Sequence, residues 1–152
     1  MLTVTAKTEV VSRELRRIAG KLADRRVVNR QLSIDLHKMV MRNFESESHD
    51  GKPWAPLATS TIRGRERRQK KPINLFKILQ DTGYMRQSFD FFSDNDQAGV
   101  GAVESKAHAE LSVIHELGLG HVPARPMLPS RERALEAALL VYGHFVARAV
   151  RP

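Results

Sequence analysis

The sequence contains no cysteine, which excludes disulfide bonds, thiolate nucleophiles and cysteine-ligated metal sites. Aromatic residues are scarce: they make up 6% of the chain and include a single tryptophan, Trp54. Long apolar runs are missing, because the most apolar segment, residues 134–150, contains charged residues and is too short to span a bilayer. No apolar leader segment follows Met1. We therefore expect a protein that is cytoplasmic where it is made and has no membrane partner.

Acidic residues are in the minority: 17 Asp and Glu stand against 25 Lys and Arg, which leaves a net charge of +8. Such an excess favours a nucleic acid, an anionic surface or an acidic protein as partner, and says nothing about the fold. Residues 63–71 concentrate the excess without any aromatic residue on which a base could stack. Three interpretations of this basic patch remain open: contact with DNA phosphates, docking on an acidic protein, and a solvated loop. Its members are Arg63, Arg65, Arg67, Arg68, Lys70 and Lys71.

At 152 residues the chain, residues 1–152, is expected to form a single domain. Apolar residues at helical spacing, such as Val11, Leu15 and Ile18, predict amphipathic helices near 8–25 and 29–47. The sequence predicts an α+β fold in which N-terminal amphipathic helices and a long C-terminal helix pack on a small, mainly antiparallel sheet. The later segments are expected to be a tryptophan-containing loop at 48–58, a basic loop or short helix at 59–72, a helix at 73–80, strands at about 88–103, a corner at 114–128 and a C-terminal helix at 130–150.

Two of these segments are less regular in pattern. Residues 108–117 fit a helix or a strand, and the spacing of Leu111 and Ile114 favours a helix. The C-terminal helix has apolar residues on more than one side, so we expect it to be buried on more than one side, in the core or in a subunit interface. Tyr142 and Phe145 are candidates for such contacts. One stripe comprises Leu135, Leu139, Tyr142, Val146 and Ala149, while Leu140, Val141 and Phe145 lie off it.

The corner holds the strongest candidate for a metal site, His115 followed by Glu116 and later by His121. A zinc-protease helix needs the pattern His-Glu-x-x-His, because that spacing puts both imidazoles on one face. Here the second histidine comes six residues after the first, across Gly118. We therefore expect no metal, and we expect His115 to be a buried or interfacial histidine bonded to backbone.

The glycines and prolines of the same segment predict a sharp corner. Gly118 and Gly120 allow backbone angles that other residues disfavour, and Pro123 and Pro126 keep the chain before each of them extended. Arg125 stands between Ala124 and Pro126 and is the candidate polar clasp of the corner, within the subunit or across to a neighbour.

Two further motifs allow a structural and a functional interpretation. The triplet Asp81-Thr82-Gly83 matches that of aspartic proteases, but one copy would require a homodimer and the preceding residues look helical. A turn at the C-terminal end of that helix, in which Gly83 supplies a positive φ, is the simpler interpretation. Trp54, between two prolines, is expected to anchor a loop to the core; stacking on a ligand is the alternative.

Four blocks, in this order and at this spacing, resemble the phage virion morphogenesis family, the tail-completion or neck proteins of Mu-like tailed phages. Leu111, Glu116 and Leu117 depart from the family pattern, which more often has Tyr, Gln and an aromatic residue there. The blocks are Asp50-Gly-Lys-Pro-Trp-Ala-Pro-Leu57, Ile78-Leu-Gln-Asp-Thr-Gly83, Ile114-His115 with Gly118, and Pro123-Ala-Arg-Pro-Met-Leu128.

The resemblance implies a small α+β subunit with no enzymatic activity, cofactor or metal. Such subunits form rings, here expected to be hexamers because tails are six-fold, at the head–tail junction or the tail end. The implied partners are further copies of the chain, neighbouring neck or connector proteins, tail-tube proteins and, nonspecifically, the DNA that passes through the lumen. The implied location is the virion, and the host cytoplasm during assembly. A basic DNA-binding protein is the second hypothesis and an enzyme that uses His115 the third.

Overall fold

The computed structural model describes residues 8–68, 75–103 and 106–151, with side chains from 109 onward in the last range. In these ranges it has two two-stranded antiparallel sheets, β1–β2 and β3–β4, and six helices. The α+β fold with a long C-terminal helix is thereby confirmed. The elements are α1 (Thr8–Ala23), α2 (Arg26–Ser46), β1 (Ser48–His49), β2 (Lys52–Pro53), α3 (Thr59–Arg68), α4 (Tyr84–Gln87), β3 (Phe89–Ser93), β4 (Ala98–Ala102), α5 (Lys106–Leu117) and α6 (Arg131–Val150).

Helix α2 is the centre of the molecule, because β3, β4 and α6 all pack against it. Its buried apolar residues follow one another at intervals of four, which places them in one stripe along the helix. The N-terminal part of this stripe meets alanines of α6, and its C-terminal part lies in the main core with Trp54, Phe89 and Met127. The stripe comprises Val28, Leu32, Leu36, Val40 and Phe44.

Both hairpins follow from local sequence. Asp50 and Gly51 form the two-residue loop between β1 and β2, with φ of +48° and +80°, as expected for an Asp-Gly turn. In the second hairpin Phe92 lies opposite Gly99, and a Cβ on that glycine would come within 2.4 Å of the phenylalanine ring. The glycine thus leaves room for the ring, and the register runs from Phe89 opposite Ala102 onward.

Helix α6 turns most of its alanines inward and its three leucines outward. Ser130 caps its first turn by accepting a hydrogen bond from the Arg133 backbone at 3.4 Å. The inner face consists mainly of alanines, such as Ala137, which is 8% exposed, whereas Leu139 is 66% exposed. Only one side of this helix is covered within the described part of the chain, so the core does not bury it on a second side, and burial of the other side in a subunit interface stays a prediction.

Four segment predictions need correction or completion. The loop expected at 48–58 begins with the hairpin of β1 and β2. The basic segment at 59–72, expected as a loop or a short helix, is helix α3 as far as Arg68; residues 69–74 lie outside the described residues. The ambiguous segment 108–117 belongs to helix α5. The described part of the helix expected at 73–80, residues 75–80, is not helical.

Residues 75–80 are irregular because their backbone groups are bound by side chains from elsewhere. The Arg65 guanidinium donates to the carbonyls of Leu75 and Lys77 at 3.2 and 2.7 Å. The Ile78 backbone N–H donates to the carboxylate of Glu47 at 3.0 Å. A helix would have paired these groups internally, so the tertiary bonds override the local helical pattern.

Candidate functional site

The corner begins where α5 ends. Gly118 has a φ of +67°, in the left-handed region that favours glycine. A Cβ at Gly118 would lie 2.7 Å from the backbone nitrogen of Ala124, so the returning chain also leaves no room for a side chain. The backbone N–H of Leu119 donates to the carbonyl of Ile114 at 3.0 Å and closes the last turn. A residue other than glycine would have to displace the backbone here.

The returning chain lies beside the last turn of α5. The Arg125 backbone N–H donates to the carbonyl of His115 at 2.7 Å. One oxygen of the Glu116 carboxylate accepts hydrogen bonds from the backbone N–H groups of Met127 and Leu128, at 2.6 and 3.2 Å. A carboxylate is a strong acceptor for backbone donors, so Glu116 fixes the segment that leads into α6. These bonds give Glu116 a structural role.

Two other elements hold the same segment from the opposite side. The indole N–H of Trp54 donates to the Pro126 carbonyl at 2.9 Å, and the tryptophan is 5% exposed. Its ring packs edge-on against Phe44, with 5.7 Å between centroids. The side-chain amide of Asn43 donates to the Met127 carbonyl at 3.0 Å. Trp54 therefore lies where a loop anchor was expected.

The Arg125 guanidinium joins the corner to the tryptophan loop. Its Nε and Nη2 atoms donate to the carbonyls of Ala55 and Pro56 at 2.9 and 3.0 Å. Burial lowers the pKa of Arg125, and the nearby charge of Arg65 lowers it further. Because a guanidinium stays protonated in proteins, the corner contains a buried cation that binds backbone carbonyls. These contacts of Arg125 are made within one chain.

Arg65 is the second buried cation, and this position does not fit the basic patch predicted for residues 63–71. It is 4% exposed, it binds two backbone carbonyls, and its Nε atom lies 3.6 Å from a carboxylate oxygen of Asp81. Arg68 also pairs with Asp81, at 2.8 Å, while Arg63 and Arg67 are exposed on α3. Lys70 and Lys71 lie outside the described residues.

His115 is partly buried beside Arg125. Burial lowers its pKa, and the charge of Arg125 lowers it further, so the neutral imidazole is favoured. Its Nδ1 atom is buried and has no hydrogen-bond partner among the described residues, which does not fit the expected bond to backbone. Within those residues no three His, Asp or Glu side chains come together as a metal site.

Asp81 and Gly83 form a turn between the irregular segment and α4. Gly83 has a φ of +80°, as the turn interpretation requires, but it precedes a helix and does not end one. The Asp81 carboxylate pairs with two arginines, Arg65 and Arg68, which is a structural arrangement and not that of an aspartic-protease dyad.

Tyr142 and Phe145 are half-buried at the inner edge of α6. Their rings meet edge-on, with centroids 6.4 Å apart. The hydroxyl of Tyr142 donates to the side-chain oxygen of Asn29, whose amide in turn donates to the Asp94 carbonyl at 2.8 Å. Asn29 is 2% exposed and sequence reasoning missed it. A polar residue within an apolar helical stripe is the signal that could have identified it.

The described contacts of the corner serve the fold. Its charged and polar side chains with described contacts are engaged with backbone groups, as Glu116, Arg125 and Trp54 illustrate. No helix in the described ranges is long and apolar enough to cross a membrane. The exposed surface of the protein includes apolar helix faces.

The comparison with protein families identifies the family to which the chain belongs. The model of the phage virion morphogenesis family matches residues 6–139, and the chain belongs to that family. It is a family of virion structure and assembly, so the chain has a structural or assembly role in a bacteriophage. A search of the curated proteins and a search of the solved structures found no match.

Proposed function

We propose that this chain forms an oligomeric ring at the head–tail junction or the tail end of a phage particle. The ring completes a head or a tail so that the two can join. Family membership supports a role in virion assembly. The outward face of α6 supports self-association, and no catalytic group is needed for this function.

The observation that carries the proposal is the reversed packing of α6. Leu135, Leu139 and Leu140 are 56, 66 and 62% exposed, while the inner face carries three alanines together with Val141 and Tyr142. Burying the large residues of a helix is worth more than burying its alanines, because the hydrophobic free energy scales with apolar area. A helix that exposes its leucines is therefore a surface suited to another protein.

The partners of the ring follow from its charge. The net charge of +8 suits acidic surfaces on neck, connector or tail-tube proteins, or the DNA that passes through a lumen. Arg63, Arg67 and Arg68 are the exposed members of the basic patch on α3. Because Arg68 pairs with Asp81, Arg63 and Arg67 are the candidates for these contacts. We expect the six-fold symmetry of tails to set the number of subunits.

Inactivation of the gene in its phage tests the function. We expect the lysate to contain separate full heads and separate tails, with normal particles restored when the gene is supplied in trans. Normal particles without the gene would rule out this role. Electron microscopy of the purified protein tests the ring itself: closed rings of one size are expected, and monomers alone would contradict the proposal.

The charge and the exposed arginines of α3 favour a second candidate, sequence-nonspecific DNA binding. It predicts retardation of duplex DNA that weakens steeply with salt, because each phosphate contact releases counterions. Replacing Arg63 and Arg67 together by Gln should abolish the retardation, while the same replacement at Arg65 should chiefly destabilise the fold. Absence of retardation at low salt would remove this candidate.

A further inference from the structure

Helix α1 is amphipathic, and only its second half packs in its own chain, against α6. Residues 8–16 are exposed without interruption, and no residue of α1 is fully buried. Val11 and Leu15, in the apolar stripe of this helix, are 48 and 61% exposed. The partly buried residues lie only in its second half, where Arg17 donates to the carbonyl of Arg151 at 3.3 Å, just beyond the end of α6. Half of an apolar helical stripe is thus left uncovered.

The outer face of α6 is the second uncovered stripe. A shallow groove of about 550 Å³ lies along it, and a Cβ on Gly143 would meet no atom within 4 Å. The groove is open to solvent and its lining is apolar or small, which suits the ridge of another helix. Its lining residues are Ala138, Leu139, Tyr142, Gly143, Val146 and Ala147.

The two stripes have the same spacing. The apolar residues of α1 are separated by four, three and four positions, and so are those of α6. Because this sequence of intervals is symmetric, the stripes match when the helices run antiparallel. The matched pairs are Val11 with Val146, Leu15 with Tyr142, Ile18 with Leu139, and Leu22 with Leu135.

The position of the groove favours the antiparallel direction over the parallel one. In the antiparallel register the exposed first half of α1 lies along the groove, and Glu9 lies opposite Arg148, so opposite charges meet at the free end of the helix. The parallel alignment of the same stripes places Val11 opposite Leu135, outside the groove, and brings into the groove the second half of α1, which packs in its own chain.

One chain does not make this register with itself. The register places Arg17 opposite Leu140, whereas within the chain Arg17 contacts Arg151. Leu140 on α6 and Arg151 just beyond its end are separated by roughly 16 Å at the helical rise per residue. The occupant that fits the groove is therefore α1 of a second copy.

We propose that α1 is an arm that joins neighbouring copies: its first half lies antiparallel in the groove on the neighbour's α6, with Val11 against Val146 and Leu15 against Tyr142. This proposal rests on the self-association proposed above and names the surfaces that mediate it. It leaves the corner and the core of each subunit unchanged.

Cysteine cross-linking tests the arm, because the natural chain has no cysteine. One chain carries Val11→Cys and another, of different tagged length, carries Val146→Cys; both positions are exposed. After mixing, re-equilibration and mild oxidation, we expect a covalent dimer of one long and one short chain. In the matched control the second chain carries Val27→Cys in place of Val146→Cys. Val27 lies on α2, is 77% exposed and lies outside both stripes.

A chain with both Val11→Cys and Val146→Cys should give a ladder of covalent oligomers. A monomer closed by an internal disulfide, or cross-linking of the test pair no faster than of the control pair, would overturn the arm. Sedimentation of the same samples separates the two proposals. Oligomers without the specific cross-link would leave the ring standing and refute the arm, whereas monomers throughout would refute both.

Discussion

The corner and the outer helix faces use their residues in opposite ways. At the corner, Glu116, Arg125 and Trp54 bind backbone groups of the same chain, and Met127 is fully buried. On the outer faces, Leu15 of α1 and Leu139 of α6 are more than 60% exposed. The corner is thus complete in a single subunit, while the helix faces need a partner.

This contrast separates residues that fold the subunit from residues that assemble it. Substitutions at the corner should lower the free energy of unfolding of the isolated subunit. Substitutions on the outer faces should leave that free energy nearly unchanged and alter association. Each prediction below tests one side of this division.

The largest effect is expected in the core beneath the corner. Met127→Ala removes a fully buried side chain and should reduce the free energy of unfolding by about 2–5 kcal/mol. Leu139→Ala removes a side chain of comparable size from an exposed position and should change it by less than about 0.5 kcal/mol in the monomer. Urea unfolding at a concentration at which the protein is monomeric measures both, and equal losses would erase the distinction.

Gly118→Ala should come next. The added Cβ meets the backbone of Ala124, and the alanine must adopt a positive φ. We therefore expect the free energy of unfolding to fall by about 2–4 kcal/mol. Gly120→Ala is the matched control, because Gly120 has a similar φ of +69° but open space around it. It should show only the conformational cost, about 1–2 kcal/mol. A larger loss at Gly120 than at Gly118 would refute the close approach.

Glu116→Ala should cost about 1–3 kcal/mol, because it leaves the backbone N–H groups of Met127 and Leu128 without their acceptor. Glu116→Gln keeps an acceptor oxygen in the same place and should recover most of the loss. Thermal unfolding followed by circular dichroism compares the two. Equal destabilisation by Ala and Gln would mean that the charge, and not the acceptor geometry, is what the corner uses.

The smallest effect concerns pH. The pKa of His115 is lowered in the folded state from its ordinary 6.5, first by burial and then by Arg125. The unfolded chain therefore binds a proton at His115 more readily than the folded chain does. The stability that the neutral His115 contributes to the folded state is fully present above pH 6.5 and is lost as the pH falls below that value. His115→Gln should make stability fall less between neutral and mildly acidic pH. An unchanged pH slope of the urea midpoint would contradict this assignment.

Local signals in the sequence predicted several elements correctly. The spacing of Val11, Leu15 and Ile18 predicts α1, because a helical stripe depends on neighbouring residues alone. The glycines of the corner indicated a turn for the same reason. The family resemblance, carried by short blocks along the chain, was confirmed by the family match.

Features that depend on distant partners could not be predicted. In the sequence Arg65 is one member of a charged run. Only the fold shows that its side chain points inward and binds the backbone carbonyls of Leu75 and Lys77. The same contacts prevent the helix expected at 73–80. In α6, sequence spacing defined an apolar stripe but not its direction, and most of that stripe faces outward. Which of two apolar faces meets the core depends on the shape of α2, which periodicity does not encode.

Sedimentation equilibrium of the wild-type protein and of Leu139→Glu tests the central claim most directly. The account predicts that the wild type forms a closed oligomer, that the variant sediments as a monomer, and that the monomers of both unfold at the same urea concentration. A wild type that stays monomeric at every soluble concentration, or a variant that still forms the oligomer, would contradict the claim that these helix faces assemble the protein.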